Sequence, residues 1–317
     1  MGKLSQRSTN ILFSDEDEHS KAVPETAVSV IVPLYNARDV IRDTIESVLA
    51  QTHCDYEIVV VDDGSTDESA EVLHVYGKRL RYIRQPNGGV AQARNRGIAA
   101  ARGRYIALLD HDDLWEPDKL AKQVAILDVR PDVGMVVTDV AHIDRVGRSM
   151  NQLGPAYQPQ HEFARLFVQG FVPTPSATLI RASILRAVGG FDEQFNSAGM
   201  DDHELWTRIA TATTIIGISE PLTLHRNRET KPAGIALGHR PLLIKKLMAR
   251  FSHDPAKRLY LQREMAWYLA DQGKHFITAG RHAEGRSVLL QGLKLSLGEA
   301  KSWKAACRCI SRFVRSW

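Results

Sequence analysis

Tyr105-Ile106-Ala107-Leu108-Leu109-Asp110-His111-Asp112-Asp113-Leu114-Trp115 is the stretch whose reading decides the fold. Residues 105–109 are an apolar run of strand length, and it stops at three carboxylates within four residues. Carboxylates gathered at a strand end repel one another unless something positive sits among them. A divalent metal carrying a phosphorylated ligand would serve, because Mg²⁺ and Mn²⁺ are held by one or two carboxylates plus phosphate oxygens. An acidic turn capping the helix that follows Pro117 would look the same locally, so the surrounding chain has to decide.

Upstream, the same pattern recurs. Residues 28–33 (VSVIVP) read as a strand that ends in Leu34-Tyr35-Asn36, and Asn36 is a fair N-cap for a helix with apolar positions at Val40, Ile41, Ile45, Val48 and Leu49. A second strand, 57–61, runs into Asp62-Asp63-Gly64, and Ser65-Thr66-Asp67-Glu68 has the form of a capping box that starts the next helix. A short strand at 80–84, a turn at 85–89 and a helix over 90–101 carrying Arg94 lead to the 105–109 strand. Near-continuous apolar strands alternating with amphipathic helices predict an α/β fold, a mostly parallel sheet with helices on both faces. Ligands bind such sheets at the carboxyl ends of the strands, where Asn36, Asp62, Asp63, Asp110 and Asp112 all fall. There is no GxGxxG after the first strand and no GxxxxGK[ST] loop, which excludes a dinucleotide site and a P-loop.

The second half is less regular. Strands are expected at 135–140 and 176–180, a loop with a short helix at 155–171, and a helix from Ala182. After Gly189-Gly190-Phe191-Asp192-Glu193, the helical spacing of Leu205, Trp206 and Ile209 puts Asp201 and Asp202 at a helix N-terminus. Acids there are ordinary capping and dipole residues, and locally that reading outweighs a catalytic one. From Pro255 the chain reads as helices, with a faint helical-hairpin character over 266–296.

Net charge is +4, but residues 240–317 hold 16 Lys and Arg against 5 Asp and Glu. The remainder is therefore acidic, and a basic tail behind an acidic body suggests an anionic partner for the tail. Its last segment sets Trp303, Ala306, Cys307, Ile310, Phe313, Val314 and Trp317 on one face and Lys301, Lys304, Arg308, Arg312 and Arg315 on the rest. That pattern fits an interfacial membrane helix, or a terminal helix docked on its neighbours. Nucleic acid is not expected, since stacking aromatics are missing beside the other basic runs. No run of 18 apolar residues and no secretory signal are seen, and three cysteines without metal-ligand spacing suit a reducing compartment. The expected location is cytoplasmic, peripheral on the inner face of the membrane.

Read as an ordered set, these segments resemble family 2 glycosyltransferases of the GT-A fold. The resemblance lies in residues 30–36 (VIVPLYN), 47–52 (SVLAQT), 61–67 (VDDGSTD), 87–95 (NGGVAQARN), 109–115 (LDHDDLW), 189–193 (GGFDE) and 201–206 (DDHELW). It implies a metal-dependent, inverting transfer from a nucleotide sugar, with a UDP-sugar expected, to a glycan or lipid-linked hydroxyl in surface polysaccharide or lipopolysaccharide synthesis. By position it implies Pro33, Tyr35 and Asn36 in the nucleotide pocket, Asp63 on the base, Arg94 beside the nucleotide and Asp110 near the ribose. Asp110-His111-Asp112 matches the DXD motif for Mn²⁺ or Mg²⁺, with Asp112 the most direct ligand, Asp110 assisting and His111 turned away. Asp202 matches the general base, and Asp201 stands where Glu is more usual. Arg228 falls in a basic segment that in the family closes over the diphosphate. Asp113 is expected to cap the segment that follows.

The organisation implied is a polar tail at 1–26, a GT-A domain at 27–235 and a basic helical extension at 236–317. The QxxRW motif of processive members is absent after Asp202, so a single sugar is expected to be added. Two other readings remain open. A sugar-nucleotide nucleotidyltransferase would want a Gly-rich basic loop where Pro33-Leu34-Tyr35-Asn36 stands, and an inactive nucleotide-sugar-binding scaffold would use the helical extension for a partner.

Overall fold

The computed structural model describes residues 26–153, 172–196, 200–227 and 234–296. The expected polar tail, the 155–171 loop, Arg228 and the last amphipathic helix lie outside the described residues, apart from Thr26. In chain order the elements are β1 (Val28–Leu34), α1 (Ile41–Leu49), β2 (Tyr56–Asp62), α2 (Ser69–His74), β3 (Arg81–Arg84), α3 (Val90–Ala100), β4 (Tyr105–Leu108), β5 (Leu114–Trp115) and α4 (Lys119–Val129). There follow β6 (Val133–Ile143), β7 (Ser149–Leu153), β8 (Thr178–Arg181), α5 (Ala182–Val188), α6 (Asp201–Ala212), β9 (Thr214–Arg226), α7 (Gly234–Arg250), α8 (Pro255–Thr278) and α9 (His282–Ser296).

The strands form one sheet in the order β3-β2-β1-β4-β8-β6-β9-β5, with β7 on β6. From β3 to β4 every pairing is parallel. Beyond β4 the sheet is mixed: β8 runs antiparallel to both β4 and β6, while β9 is parallel to β6. The parallel half needs cover on both faces, and β1 shows how it gets it. Val28, Val30, Val32 and Leu34 face α1 and α4 through Ile41, Ile45, Val48, Leu120 and Val124. Ile31 on the other face meets Ala91 and Ala93 of α3 in a layer that also contains Leu185 of α5 and Leu205, Trp206 and Ile209 of α6. Each such side chain taken fully out of water contributes roughly 1.5–3 kcal/mol, so these two layers are the main stabilising mass.

A third apolar cluster attaches the helical extension. Phe195 is buried among Leu243, Ile244, Leu247 and Phe251 around α7 and Leu261 and Met265 of α8. Lys246 also pairs with Asp192 and lies over the Phe195 ring at 5.2 Å. The hairpin character of 266–296 corresponds to α8 packed on α9. Glycine lets these helices approach closely: a Cβ on Gly273 would come 2.6 Å from Leu289 Cγ. Among the described residues no helix is long and apolar enough to cross a membrane.

Three local expectations fail for tertiary reasons. Asn36 does not cap α1, which begins at Ile41 after Val40 with no side-chain cap. Instead Asn36 adopts a left-handed φ of 46°, and its Oδ1 accepts the N–H of Thr66 at 2.8 Å. The Ser65–Glu68 box does not form either: the Ser65 hydroxyl takes the Asn36 N–H, and α2 starts at Ser69, whose N–H is held by Asp67. Residues 176–177 belong to a 3₁₀ turn (Pro175–Ala177), so β8 starts only at Thr178.

Gly97 of α3 sits against β1, where an added Cβ would lie 2.3 Å from Ile31 Cγ2. Overpacking of this kind costs about 1–3 kcal/mol, and better helix propensity returns up to about 1 kcal/mol. Gly97→Ala is therefore expected to lower stability by about 1–2 kcal/mol, read as a reduced urea midpoint with unchanged slope.

Candidate functional site

The parallel strands carry the site at their carboxyl ends. The Asp63 N–H bonds Leu34 O at 2.8 Å and the Leu109 N–H bonds Ile31 O at 3.0 Å, so the ends of β2, β1 and β4 are locked side by side. Asp63 is buried and already engaged. Its Oδ1 accepts from Gln85 Nε2 and Gly88 N–H, both at 2.8 Å, and its Oδ2 accepts the Gly89 N–H at 2.7 Å. Those amides belong to the turn that begins α3, where donors without intrahelical partners collect. Asn196 completes that end, accepting the Ala91 N–H at 2.6 Å and donating to Gly88 O at 2.5 Å. Asp63 thus fixes the start of α3 and retains acceptor capacity on Oδ2, since a carboxylate oxygen can take two hydrogen bonds.

One turn into α3 stands Arg94, almost wholly buried. Its Nη1 donates to Asp201 Oδ2 at 2.7 Å, its Nη2 to Asp110 Oδ1 at 2.6 Å, and its guanidinium lies 5.1 Å from the centre of the Phe191 ring. The Nε–H, also buried, has no hydrogen-bond partner among the described residues. Burial opposes the Arg94 charge, but Asp110 and Asp201 outweigh it and hold the pKa above the ordinary range. Asp110 is likewise penalised by burial, yet Arg94 wins and its pKa is depressed. Asp201 ends on the other side of the balance. Burial raises it to about 6, against the pull of Arg94 and with Asp202 adding repulsion. Asp202 is also raised, by burial first and with Asp110 adding to it. Both acids are in the first turn of α6, where the helix dipole favours negative charge.

The acidic loop is anchored on each side. His111 Nδ1 bonds Pro33 O at 3.0 Å, which makes Nδ1 the protonated nitrogen because a carbonyl only accepts. Ser176 Oγ accepts the Asp110 N–H at 3.0 Å and donates to Asp113 Oδ2 at 2.6 Å. The other Asp113 oxygen accepts the Arg226 N–H at 3.0 Å, and Arg226 Nε donates to Asp112 O at 2.8 Å. Asp113 therefore does not cap the next segment: α4 follows Asp118, and Asp113 ties the loop to Ser176 and β9 instead. Burial, then the charges of Asp110 and Asp112, push its pKa well up.

Asp110 and Asp112 suit a divalent cation in an open site. Among the described residues no group of three His, Cys, Asp or Glu forms a metal cage. Mg²⁺ and Mn²⁺ do not need one, since phosphate oxygens and waters complete their shell. The unpartnered Arg94 Nε is a buried donor of the kind that a polar ligand satisfies.

Of the residues picked out in the sequence, Arg94, Asp110 and Asp201 are in direct contact, with Asp202 beside them. Pro33 is joined to the loop through His111, Tyr35 is largely exposed just beyond β1, and Asn36 braces the turn after β2. Ser176 and Arg226 were not singled out, and neither was Asn196. Arg208 was also missed: it holds Glu204 one helical turn back and the carbonyls of Val188 and Gly190, fixing α6 to the Gly189-Gly190 turn. The i,i+4 spacing of Glu204 and Arg208 was a signal that could have found that pair.

Comparison with known proteins bears on the family and the fold. The family model described as glycosyl transferase family 2 matches residues 29–189. An uncharacterized glycosyltransferase of Rickettsia typhi is 32% identical over 214 residues, covering 66% of this chain and 67% of that protein. A Bacillus subtilis protein named for teichuronic acid biosynthesis, TuaG, is 48% identical over 104 residues, 32% of this chain and 41% of its own. Among solved structures, S. aureus TarS 1–349 in complex with UDP-GlcNAc superposes with a TM-score of 0.57 at 17% identity, covering 84% of this chain and 92% of that one, a likeness of fold.

The raised Asp201 pKa has a consequence for stability. Between the ordinary value of 3.8 and about 6 the folded chain keeps a proton that the unfolded chain has released, so stability falls as pH rises through that window. The neutral isostere Asp201→Asn is expected to raise the Tm of the ligand-free protein near pH 7.5, by an amount on the order of 2 kcal/mol in stability. The gain should vanish near pH 4, and a Tm difference that persists on acidification would contradict it.

Proposed function

The chain belongs to glycosyltransferase family 2, and from that premise we propose that it moves a single sugar from a UDP-sugar to a hydroxyl of a glycan or lipid-linked acceptor, with inversion, in building a cell-surface polysaccharide. The observation that carries the reading is the buried Arg94 bridging Asp110 and Asp201 with Asp202 alongside. The UDP-GlcNAc complex of TarS supports the donor class, and the teichuronic acid name of the B. subtilis relative supports the polymer class. Family membership favours glycosyl transfer over nucleotidyl transfer.

In this reading the spare acceptor position on Asp63 Oδ2 meets a base N–H at the pocket formed with Pro33, Tyr35 and Asn36. Asp110 and Asp112 would hold Mn²⁺ or Mg²⁺, which when bound neutralises charge growing on the leaving diphosphate. Arg94 orders Asp110 and Asp201, leaving its Nε–H for a polar group of the donor. Asp201 is occupied by Arg94, so Asp202 is the carboxylate that accepts the proton of the acceptor hydroxyl. Burial raises its pKa, which makes the ionised carboxylate a better base than that of an exposed aspartate. The acceptor oxygen forms its bond to the anomeric carbon as the bond to the diphosphate breaks on the opposite face, giving one inversion and no covalent intermediate. Arg228 lies in the segment proposed to close over the diphosphate.

A thermal-shift screen of nucleotide sugars with Mn²⁺ identifies the donor, since a ligand that binds only the folded state raises its Tm. With that donor, Asp202→Asn should lower transfer by about 10²–10⁴-fold and leave donor affinity nearly unchanged. Near wild-type transfer by Asp202→Asn would sink the base assignment. Metal-independent donor binding would remove the cation from the site, and donor binding with neither transfer nor donor hydrolysis would favour an inactive scaffold.

A further inference from the structure

Arg226, the last residue of β9, is a nearly fully buried arginine that the reaction as proposed does not use, and its contacts converge on the acidic loop. Its Nε donates to Asp112 O at 2.8 Å and its main-chain N–H to Asp113 Oδ1 at 3.0 Å. Nη1 donates to Arg145 O at 2.7 Å and reaches Asp144 O at 3.4 Å, in the turn between β6 and β7. Nη2 is buried without a hydrogen-bond partner among the described residues, 3.6 Å from Asp43 Oδ2 of α1. One side chain thus braces the loop against α1, the β6–β7 turn and β9.

We propose that Arg226 is a positioning residue for the acidic loop: by fixing the Asp112 carbonyl and the Asp113 carboxylate from behind, it sets the direction of the Asp112 carboxylate and so the affinity of the site for a divalent cation carrying a nucleotide. This rests on the glycosyltransferase reading above. Asp112 is flanked by two anchored residues, His111 on Pro33 O and Asp113 on Ser176 Oγ. With its neighbours held and its own carbonyl bound to Nε, the peptide planes on both sides of Asp112 cannot rotate, and its side chain leaves the backbone in one direction. A guanidinium can engage Asp112 O and Arg145 O at once from two separate nitrogens, whereas an ammonium is a single point donor, so lysine is not an equivalent. Groups that orient metal ligands from behind typically change metal affinity by about 10–100-fold when removed.

The test measures Mn²⁺ binding to the full chain in the presence of UDP, by electron paramagnetic resonance of free Mn²⁺, for the wild type, Arg226→Gln and Arg226→Lys. Arg181→Gln is the matched control, because Arg181 also binds main-chain carbonyls, those of Val133, Leu127 and Arg130, away from the acidic loop. Both Arg226 variants should weaken Mn²⁺ binding about tenfold or more, while Arg181→Gln lowers Tm without changing it. Arg226 variants that lose Tm yet bind Mn²⁺ like the wild type would overturn the proposal. If neither folds, Ser176→Ala frees the other end of Asp113, and it should weaken Mn²⁺ binding in the same direction; unchanged binding there overturns the proposal as well. A wild type that binds no Mn²⁺ with UDP refutes the parent reading, and this inference with it, before any variant is compared.

Discussion

A single buried guanidinium sets the terms for the site. Arg94 joins α3 to the loop after β4 and to the start of α6, three segments far apart in sequence, through two charge-assisted hydrogen bonds. Taking a guanidinium out of water is costly unless it is paired, and removing one partner of a buried pair is worse than never having had it. Arg94 therefore relies on Asp110 for its charge partner, with the oxygen at position 201 as a second acceptor. The number of carboxyl groups nearby exceeds what Arg94 can balance. Asp110, Asp201 and Asp202 lie about Arg94, and Asp112 and Asp113 lie against Arg226, so five carboxyl groups face two guanidinium groups. A bare diphosphate would be repelled by such a site, whereas a diphosphate accompanied by a divalent cation would not. On the function proposed above, that excess suits a donor that arrives with its metal.

Two hydrogen-bond systems hold the arrangement at a distance from any reacting atom. On one side Asp63 and Asn196 fix the first turn of α3, which aims Arg94. On the other, Ser176, Asp113 and Arg226 fix the acidic loop from behind. The second system depends on the sheet changing character at β8. The antiparallel insertion of β8 between β4 and β6 brings the turn containing Ser176 next to the end of β4, and the parallel β6–β9 pair brings Arg226 back beside it. The parallel half supplies the strand ends and the mixed half supplies the clamp.

That division also explains what could be read from the chain. In the parallel half both faces of each strand are buried, so 28–34, 56–62 and 105–108 stand out as apolar runs, and the residues just after them are site candidates by position alone. Capping signatures misled at Asn36 and at Ser65 because those side chains serve each other's loops, a tertiary use that short-range spacing cannot reveal. Lys119 is wholly buried, its Nζ on Gln123 Oε1 at 2.8 Å and 4.1 Å from the centre of the Trp115 ring, and burial pushes its pKa well down. Nothing in the sequence separates it from the solvent-facing Lys122 on the same helix. Arg226 gives no separate signal either, lying in the basic segment that the resemblance assigns to closure over the diphosphate, until β9 is seen to end there.

Asp201 and Asp202 carry the same chemistry at adjacent positions, and their separation is a matter of direction. Successive helical residues point about 100° apart, so only one of the pair can face Arg94. Asp201 does, and its oxygen is committed to Nη1. Asp202 accepts the His203 N–H at 2.7 Å on Oδ1 and lies near enough to Arg94 and Asp110 for both charges to act on it. The capping reading and the catalytic reading of these residues are therefore compatible. A helix start is stable with acids in its first turn. Burial raises the proton affinity of both, and what separates them is the guanidinium, which commits Asp201 and leaves Asp202 as the one that the proposed function can use as a base.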